Sequence, residues 1–141
     1  MRVFLDTNIL LDVLMNRTLF VVDSEAVITS CEARGDDLFV AWHGLATAYY
    51  LLKRGRSEAD TMVEVDKILA WASVAKATDA AARRARSLGF SDFEDALQAA
   101  SAEACHADWI VTRNAADFGL SAVAAITPQD FLLRFPVMPV S

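Results

Sequence analysis

Short apolar runs alternate with longer segments of helical periodicity along the whole chain. The clearest runs are residues 3–5, 38–41 and 109–112, and weaker ones are 73–77 and 123–126. A continuous apolar run is typical of a strand that is covered on both faces. Strands that alternate with helices predict right-handed crossovers and a mainly parallel sheet. The predicted fold class is therefore α/β.

The helices are predicted from apolar residues that recur every three or four positions. Glycines that end such patterns, a capping serine and a Thr-Pro pair mark several boundaries. The predicted helices occupy about 8–14, 22–34, 45–54, 58–72, 80–88, 91–106 and 128–134.

Length and composition favour one globular domain. A chain of 141 residues with 55 % hydrophobic residues supplies a continuous core, which excludes a disordered chain or a disulfide miniprotein. We expect a single domain over residues 1–134 and a short, apolar C-terminal tail over 135–141, which would pack against the body or a partner. The net charge of −6 argues against a generic basic coat for nucleic acid.

Two cysteines, Cys31 and Cys105, lie in no metal-binding or redox motif, so we expect buried thiols in a reducing compartment. An acidic residue at position 6 comes too early for a signal peptide. No apolar run approaches the roughly 20 residues of a membrane helix. We expect a cytoplasmic protein.

Polar side chains follow the predicted strands at the edge where parallel sheets bind ligands. Asp6, Thr7 and Asn8 follow the first strand, and Arg113, Asn114 and Asp117 follow the run 109–112. His43, beside Trp42, follows the second strand, although a structural role is the simpler interpretation for a lone histidine.

A second group of acids lies at the start of the predicted helix 91–106. Asp92 and Asp95 are neighbours at spacing i, i+3, whereas Glu94 points away from them and is expected in solvent. Helix capping is the competing interpretation for Asp6 and Asp92, and a turn is the competing one for Asn114 and Asp117.

Several carboxylates without a convergent cation are typical of a site for Mg²⁺ or Mn²⁺. Such sites support hydrolysis at phosphorus. The sequence contains no GxSxG, Walker or Rossmann glycine motif, which disfavours the main nucleophilic and nucleotide-binding alternatives.

Three segments, taken together, resemble the PIN-domain family of metal-dependent ribonucleases. They are Leu5-Asp6-Thr7-Asn8, Phe93-Glu94-Asp95-Ala96-Leu97 and the run from Val111 to Phe118. The resemblance spans residues 2 to about 133 and is greatest to the small prokaryotic members, including VapC-type toxins. It implies a three-layer α/β/α sandwich around a parallel sheet.

The resemblance also implies roles for single residues. Asp6, Asp95 and Asp117 would hold Mg²⁺ or Mn²⁺, while Asn114, Thr7, Asn8 and Thr112 would support and orient them. Many family members carry a glutamate where this chain has Thr47. We expect Asp92 to supply the missing carboxylate as a fourth metal-binding and catalytic residue.

The implied function is cleavage of RNA by a toxin that a cognate antitoxin holds inactive. Arg113 is a candidate RNA contact, as are two basic clusters at 53–56 and 83–86 that solvated helix faces would also explain. Apolar residues on several sides of the helices around Tyr49 and Trp71 favour a homodimer. Two alternatives stay open, which are a non-catalytic PIN module that binds RNA or protein and a metal-dependent phosphatase.

Overall fold

The computed structural model describes residues 1–137 and places five strands and seven α-helices in alternation. The strands are β1 (Arg2–Leu5), β2 (Asp37–Val40), β3 (Ser73–Val74), β4 (Trp109–Val111) and β5 (Ala125–Ile126). The helices are α1 (Thr7–Leu14), α2 (Val21–Arg34), α3 (Trp42–Leu52), α4 (Glu58–Trp71), α5 (Asp79–Ser87), α6 (Phe93–Ala104) and α7 (Pro128–Arg134). A 3₁₀ helix, Ala115–Phe118, lies between β4 and β5.

All strand pairs in the sheet are parallel, and the strand order is β3-β2-β1-β4-β5. The predicted α/β class and parallel sheet are confirmed. The first strand of the chain is central, where Phe4 pairs with Phe39 on one side and Ile110 on the other. Because the strands are parallel, all their carboxyl ends meet at one edge.

The core lies on both faces of the sheet, as continuous apolar strands require. Val3 and Leu5 of β1 point into a cluster formed with α1, α2, α3, α4 and α7. Phe4, which points the opposite way, packs with α6 and the 3₁₀ helix, and α5 covers α6. Two helical layers around one sheet give the three-layer sandwich that the family resemblance implied.

Side-chain caps set the start of several helices. The hydroxyls of Ser57, Thr78 and Thr127 accept backbone N–H groups at the starts of α4, α5 and α7. Gly35 ends α2 in the left-handed conformation, with φ of 77°. The predicted start of α6 at Ser91 is two residues early, because Asp92 is the cap.

The C-terminal segment packs on the body as far as it is described. The ring of Phe135 lies 5.0 Å from that of Phe131 and 5.9 Å from that of Trp109. Arg34 donates a hydrogen bond to the Phe135 carbonyl at 2.8 Å. Residues 138–141 of the predicted tail lie outside the described residues.

Both cysteines are buried free thiols. Burial raises the pKa of the Cys31 thiol to about 12 and also raises the pKa of Cys105, which disfavours the reactive thiolate. Within residues 1–137, no helix combines the length and apolar character needed to cross a bilayer.

Candidate acidic site at the carboxyl edge of the sheet

Asp6 lies at the end of the central strand and at the N-cap position of α1, yet its carboxylate does not cap the helix. Its backbone is extended, with φ of −60° and ψ of 149°, and the side chain makes no capping hydrogen bond. Instead, the hydroxyl of Thr112 donates to Oδ2 of Asp6 at 2.8 Å. The clearest hydrogen bond of this carboxylate is thus to Thr112 and not to a backbone N–H of α1.

The Asp6 carboxyl is only 4 % exposed. Burial raises its pKa, and the hydrogen bond from Thr112 and the N–H groups of Thr7 and Asn8 oppose that rise. The charge of Glu94 adds to the rise. A buried carboxyl in an acidic environment gains from any cation that reaches it.

The turn after β4 is hydrogen-bonded to the same threonine that contacts Asp6. The Thr112 hydroxyl also accepts the backbone N–H of Asn114 at 3.1 Å, so this one side chain links Asp6 to the turn. The Asn114 carbonyl accepts the N–H of Asp117 at 2.9 Å, which starts the 3₁₀ helix. The side chains of Asn114 and Asp117 are exposed.

Asp92 and Asp95 have different environments. Oδ1 of Asp92 accepts the backbone N–H of Asp95 at 3.0 Å and caps α6, while the side chain stays exposed. Asp95 is half-buried. Its pKa is raised to about 6. Burial is the largest cause, and repulsion from Asp92, Asp6, Asp117 and Glu94 adds to it. The structure thus brings Asp6, Asp92 and Asp117 within electrostatic range of Asp95.

The predicted acids do not surround a common point as the ligands of a complete metal site do. Within residues 1–137, no three His, Cys, Asp or Glu side chains converge closely enough to hold one ion together. Any cation bound here takes part of its coordination from water or from a rearrangement of the side chains.

Thr7 belongs to a buried polar contact that the sequence analysis did not predict. Gln98 of α6, which is fully buried, donates its amide Nε2 to the Thr7 hydroxyl, while its Oε1 has no partner in the described residues. Gly44 of α3 packs on the same hydroxyl, because a Cβ at position 44 would lie 2.8 Å from Oγ1 of Thr7. Thr7 therefore joins α1 to α3 and α6. Asn8 beside it is half-buried.

Thr47 does not replace the glutamate that many family members carry. Its hydroxyl donates to the carbonyl of His43, one turn earlier in α3, at 3.1 Å. A hydroxyl used within its own helix offers little to a cation at the sheet edge.

Glu94 and His43 extend the site on the β2 side. Glu94 is exposed, as expected, but its charge raises the pKa of Asp6 and of Asp95 and opposes the fall in the pKa of His43. The larger effect on His43 is burial, which lowers its pKa. Its Nε2 is buried and has no hydrogen-bond partner in the described chain.

Arg113 is an anchor between β4 and α1. Its Nε lies 3.0 Å from Oδ2 of the fully buried Asp12, and its guanidinium lies 4.1 Å from the centre of the Phe20 ring. Burial raises the pKa of Asp12, while Arg113 and Arg17 oppose that rise. Because its charge faces Asp12, Arg113 is poorly placed as the predicted RNA contact.

The predicted basic clusters are partly neutralised. Arg83 pairs with Asp79 at 2.9 Å and Arg84 with Glu103 at 3.1 Å. Lys53 lies over the ring of Tyr49 at 5.2 Å.

The fold and the acidic edge of the sheet can be compared with those of known proteins. The family model described as PIN domain matches residues 2–116, and the chain belongs to the PIN domain family. The matched stretch contains Asp6, Asp92 and Asp95 and ends just before Asp117. No curated protein matches the sequence.

Among solved structures, the fold is similar to VapBC2 from Rickettsia felis bound to a DNA fragment from their promoter. The TM-score is 0.71 at 16 % identity, over 90 % of this chain and 98 % of that one. The fold is also similar to VapBC-1 from nontypeable Haemophilus influenzae, with a TM-score of 0.71 at 14 % identity, over 92 % of this chain and 99 % of that one. For FitAcB from Neisseria gonorrhoeae the TM-score is 0.65 at 16 % identity, over 90 % of this chain and 98 % of that one.

Proposed function

We propose that this protein is a metal-dependent endoribonuclease and the toxin of a toxin–antitoxin pair. The observation that carries the proposal is the position of Asp6. A buried carboxylate stands at a helix N-terminus without capping it, is held by Thr112, and lies among other acids. A stability role does not explain that arrangement, because like charges at one edge repel.

The donor chemistry fits Mg²⁺ or Mn²⁺. These ions prefer oxygen ligands, and Mg²⁺ keeps several waters while binding one or two carboxylates directly. Asp6 and Asp95 would provide direct ligands, and Asp92 and Asp117 would bind through water or after a side-chain shift. When bound, the metal supplies an activated water near neutral pH and neutralises charge on the attacked phosphate.

The residues of the chain would position the groups around the reaction. Thr112 fixes the Asp6 carboxylate and at the same time sets the turn that presents Asp117. Hydrolysis adds the water oxygen to phosphorus and breaks the bond to the 3′ oxygen, which leaves a 3′-hydroxyl and a 5′-phosphate. The proton left over from the water passes to the departing oxygen or to solvent.

The test is cleavage of total RNA with Mg²⁺ or Mn²⁺ present. We expect Asp6→Asn and Asp95→Asn each to abolish cleavage while the fold stays intact, because asparagine is nearly isosteric but removes one charge. Asp66→Asn, at an exposed position on α4, serves as the control and should cleave like the wild type. Undiminished cleavage by Asp6→Asn would overturn the assignment.

The toxin part of the proposal is supported by the likeness to the VapBC and FitAcB structures. It predicts a short reading frame beside this gene that encodes a small protein with an amphipathic helix. Expression of the chain alone should arrest growth, and co-expression of the neighbour should restore it. Growth that continues with the chain expressed alone would contradict this part.

We also propose a homodimer. Exposed apolar side chains lie on α3 and α4, where Tyr50 is 65 %, Val63 52 % and Leu69 49 % exposed. Apolar surface of this kind is typical of an interface. Light scattering should give about twice the chain mass of 15.4 kDa at micromolar concentration, and a mass near 15.4 kDa would reject the dimer.

The second candidate function is a non-catalytic PIN module that binds RNA or a protein. Thr47 favours it, because its hydroxyl is used within α3 where many relatives have a carboxylate. A chain that binds RNA without cleaving it at any divalent metal concentration would support this alternative.

A further inference from the structure

Trp42 lies at the same sheet edge as Asp6, two residues after β2 ends. Strand β2 lies directly beside β1, and β3 beside β2. The backbone leaves β3 beside Trp42, because the N–H of Ala75 donates to the Val40 carbonyl at 2.8 Å. Residues 75–78 and the start of α3 therefore line the edge next to the acidic site.

The Trp42 side chain is unusually open to solvent, at 67 % exposed. Tryptophan is highly buried on average, so this exposure needs an explanation. Its ring borders two cavities. A narrower one of about 160 Å³ extends toward α5 and α6 and includes His43, Thr78 and Ser101. A wider one of about 550 Å³ includes Lys76 and Thr78.

One residue that lines the narrower cavity has an unpaired polar atom. His43 lines it, and Nε2 of His43 is buried with no hydrogen-bond partner in the described chain. Buried polar atoms in native proteins are nearly always paired, and an unpaired one calls for a ligand or an ordered water. Once the His43 ring turns toward the cavity, this nitrogen would donate or accept one hydrogen bond at the edge of a base.

The wider cavity is lined by a positively charged side chain, that of Lys76. Lys76 is exposed and forms no salt bridge with any residue between 1 and 137. Trp42 and Lys76 line the same cavity, and an aromatic face next to a lysine matches the base and the phosphate of one nucleotide. Proteins bind single-stranded nucleic acid by this combination of stacking and backbone charge.

We propose that Trp42 and His43 form a base-binding subsite for single-stranded RNA, in which a base stacks on Trp42 and Lys76 contacts the adjoining phosphate. The inference rests on the proposed nuclease function for its choice of RNA. The subsite lies on the Glu94 side of the acidic cluster, so the strand would run from the carboxylates toward β3. Local contacts of this kind offset the net charge of −6, which otherwise repels the substrate.

The test measures RNA binding apart from cleavage. A short fluorescein-labelled single-stranded RNA of mixed sequence is titrated in EDTA, where no metal supports hydrolysis, and the Kd is read by anisotropy. Trp42→Ala should weaken binding about tenfold, as loss of one stacked base does. Trp42→Phe should recover most of it. Leu133→Ala is the control, because Leu133 is 80 % exposed on α7 and borders neither cavity.

Two further readouts distinguish recognition from structure. Lys76→Ala should lower the dependence of log Kd on salt by about one phosphate contact, whereas Trp42→Ala should leave that slope unchanged. In cleavage reactions with Mg²⁺, Trp42→Ala should raise KM more than it lowers kcat. His43→Phe, which keeps the ring volume but removes the nitrogens, should weaken binding when Trp42 is intact.

The outcomes separate this inference from the proposed function. RNA binding that depends on Trp42 in a chain that never cleaves would support the subsite and refute the nuclease. Cleavage with an unchanged KM in Trp42→Ala would leave the nuclease standing and overturn the subsite. A Trp42→Ala chain with wild-type Kd, or one whose mass changes by light scattering, would also overturn it, the latter by assigning Trp42 to a contact between copies.

Discussion

The Thr112 hydroxyl donates to Oδ2 of Asp6 at 2.8 Å, across 106 residues of sequence. The same hydroxyl accepts the N–H of Asn114 at 3.1 Å. One buried side chain thus holds both the first acidic residue and the turn that carries the last one. Its loss should affect stability and chemistry together.

We expect Thr112→Val to lower the free energy of unfolding by about 1.5–3 kcal/mol, the usual range for a hydrogen bond to a charged group. Urea unfolding at pH 7 measures this loss. RNA cleavage should fall as well, because the Asp6 carboxylate is no longer oriented. Thr112→Ser keeps the hydroxyl and should retain most of both properties. A loss in Thr112→Ser with none in Thr112→Val would mean that the methyl group, not the hydroxyl, matters.

The raised pKa of Asp95 predicts a stability that depends on pH. In the folded protein this pKa lies at about 6, against an ordinary value of 3.8. The folded state therefore binds the proton more tightly than the unfolded state. The resulting stabilisation is complete below about pH 3.8 and is lost as the pH rises through 6.

Asp95→Asn should therefore be more stable than the wild type at pH 7, by about 1–2 kcal/mol once solvent screening is allowed for. The advantage should shrink toward pH 4. Asp95→Glu, which keeps the charge, should behave like the wild type. Mg²⁺ should reduce the difference at pH 7 if it binds the carboxylates. An advantage that is constant from pH 4 to 7 would show that ionisation of the half-buried Asp95 carboxyl among other acids is not its origin.

Asp92 can be tested as a metal ligand without loss of its cap. Asparagine is as good an N-cap as aspartate, so Asp92→Asn should leave α6 intact. If Asp92 supplies the carboxylate that is missing at position 47, this variant should weaken Mn²⁺ binding and slow cleavage. Thr47→Glu in the same background should partly restore both. Calorimetric titration that gives an unchanged affinity in Asp92→Asn would reduce Asp92 to a helix cap.

Gly44 is needed where α3 approaches Thr7. A Cβ at this position would lie 2.8 Å from the Thr7 hydroxyl, which also accepts the Gln98 amide. We expect Gly44→Ala to cost about 1–3 kcal/mol of unfolding free energy through overpacking. Gly119→Ala is the matched control, because its Cβ would meet only the Ala116 carbonyl, at 3.8 Å. Thermal unfolding that ranks the two variants equally would contradict the close contact.

The order of strands and helices was predictable because each element follows a hydrophobic period and most helix ends carry a local signal. The start of α6 was misplaced since both Ser91 and Asp92 are good caps, and only the hydrogen bond to Asp95 selects between them. Asp6 and Asp117 were expected at one edge because each follows a strand, whereas Asp95, at the start of α6, was placed with them by the family resemblance. The lack of a three-ligand cluster was not predictable, because it depends on side-chain distances of a few ångströms.

The contacts that escaped prediction join buried polar groups that are distant in sequence. Asp12 stands in an apolar run of α1 and is fully buried against Arg113, which we expected to face RNA. Nothing in the local sequence identifies its partner. Gln98 likewise looks like one polar residue in an alanine-rich helix, and only the packing of α6 on α1 brings it to Thr7.

The central position of β1 has a consequence for synthesis of the protein. Strand β1 is made about a hundred residues before β4, with which it pairs, so the sheet closes late. A nascent or prematurely terminated chain that ends within α5 has Asp6 but neither Thr112 nor Asp95. Such a fragment carries no assembled acidic edge, which forms only after the chain has been made through Asp117.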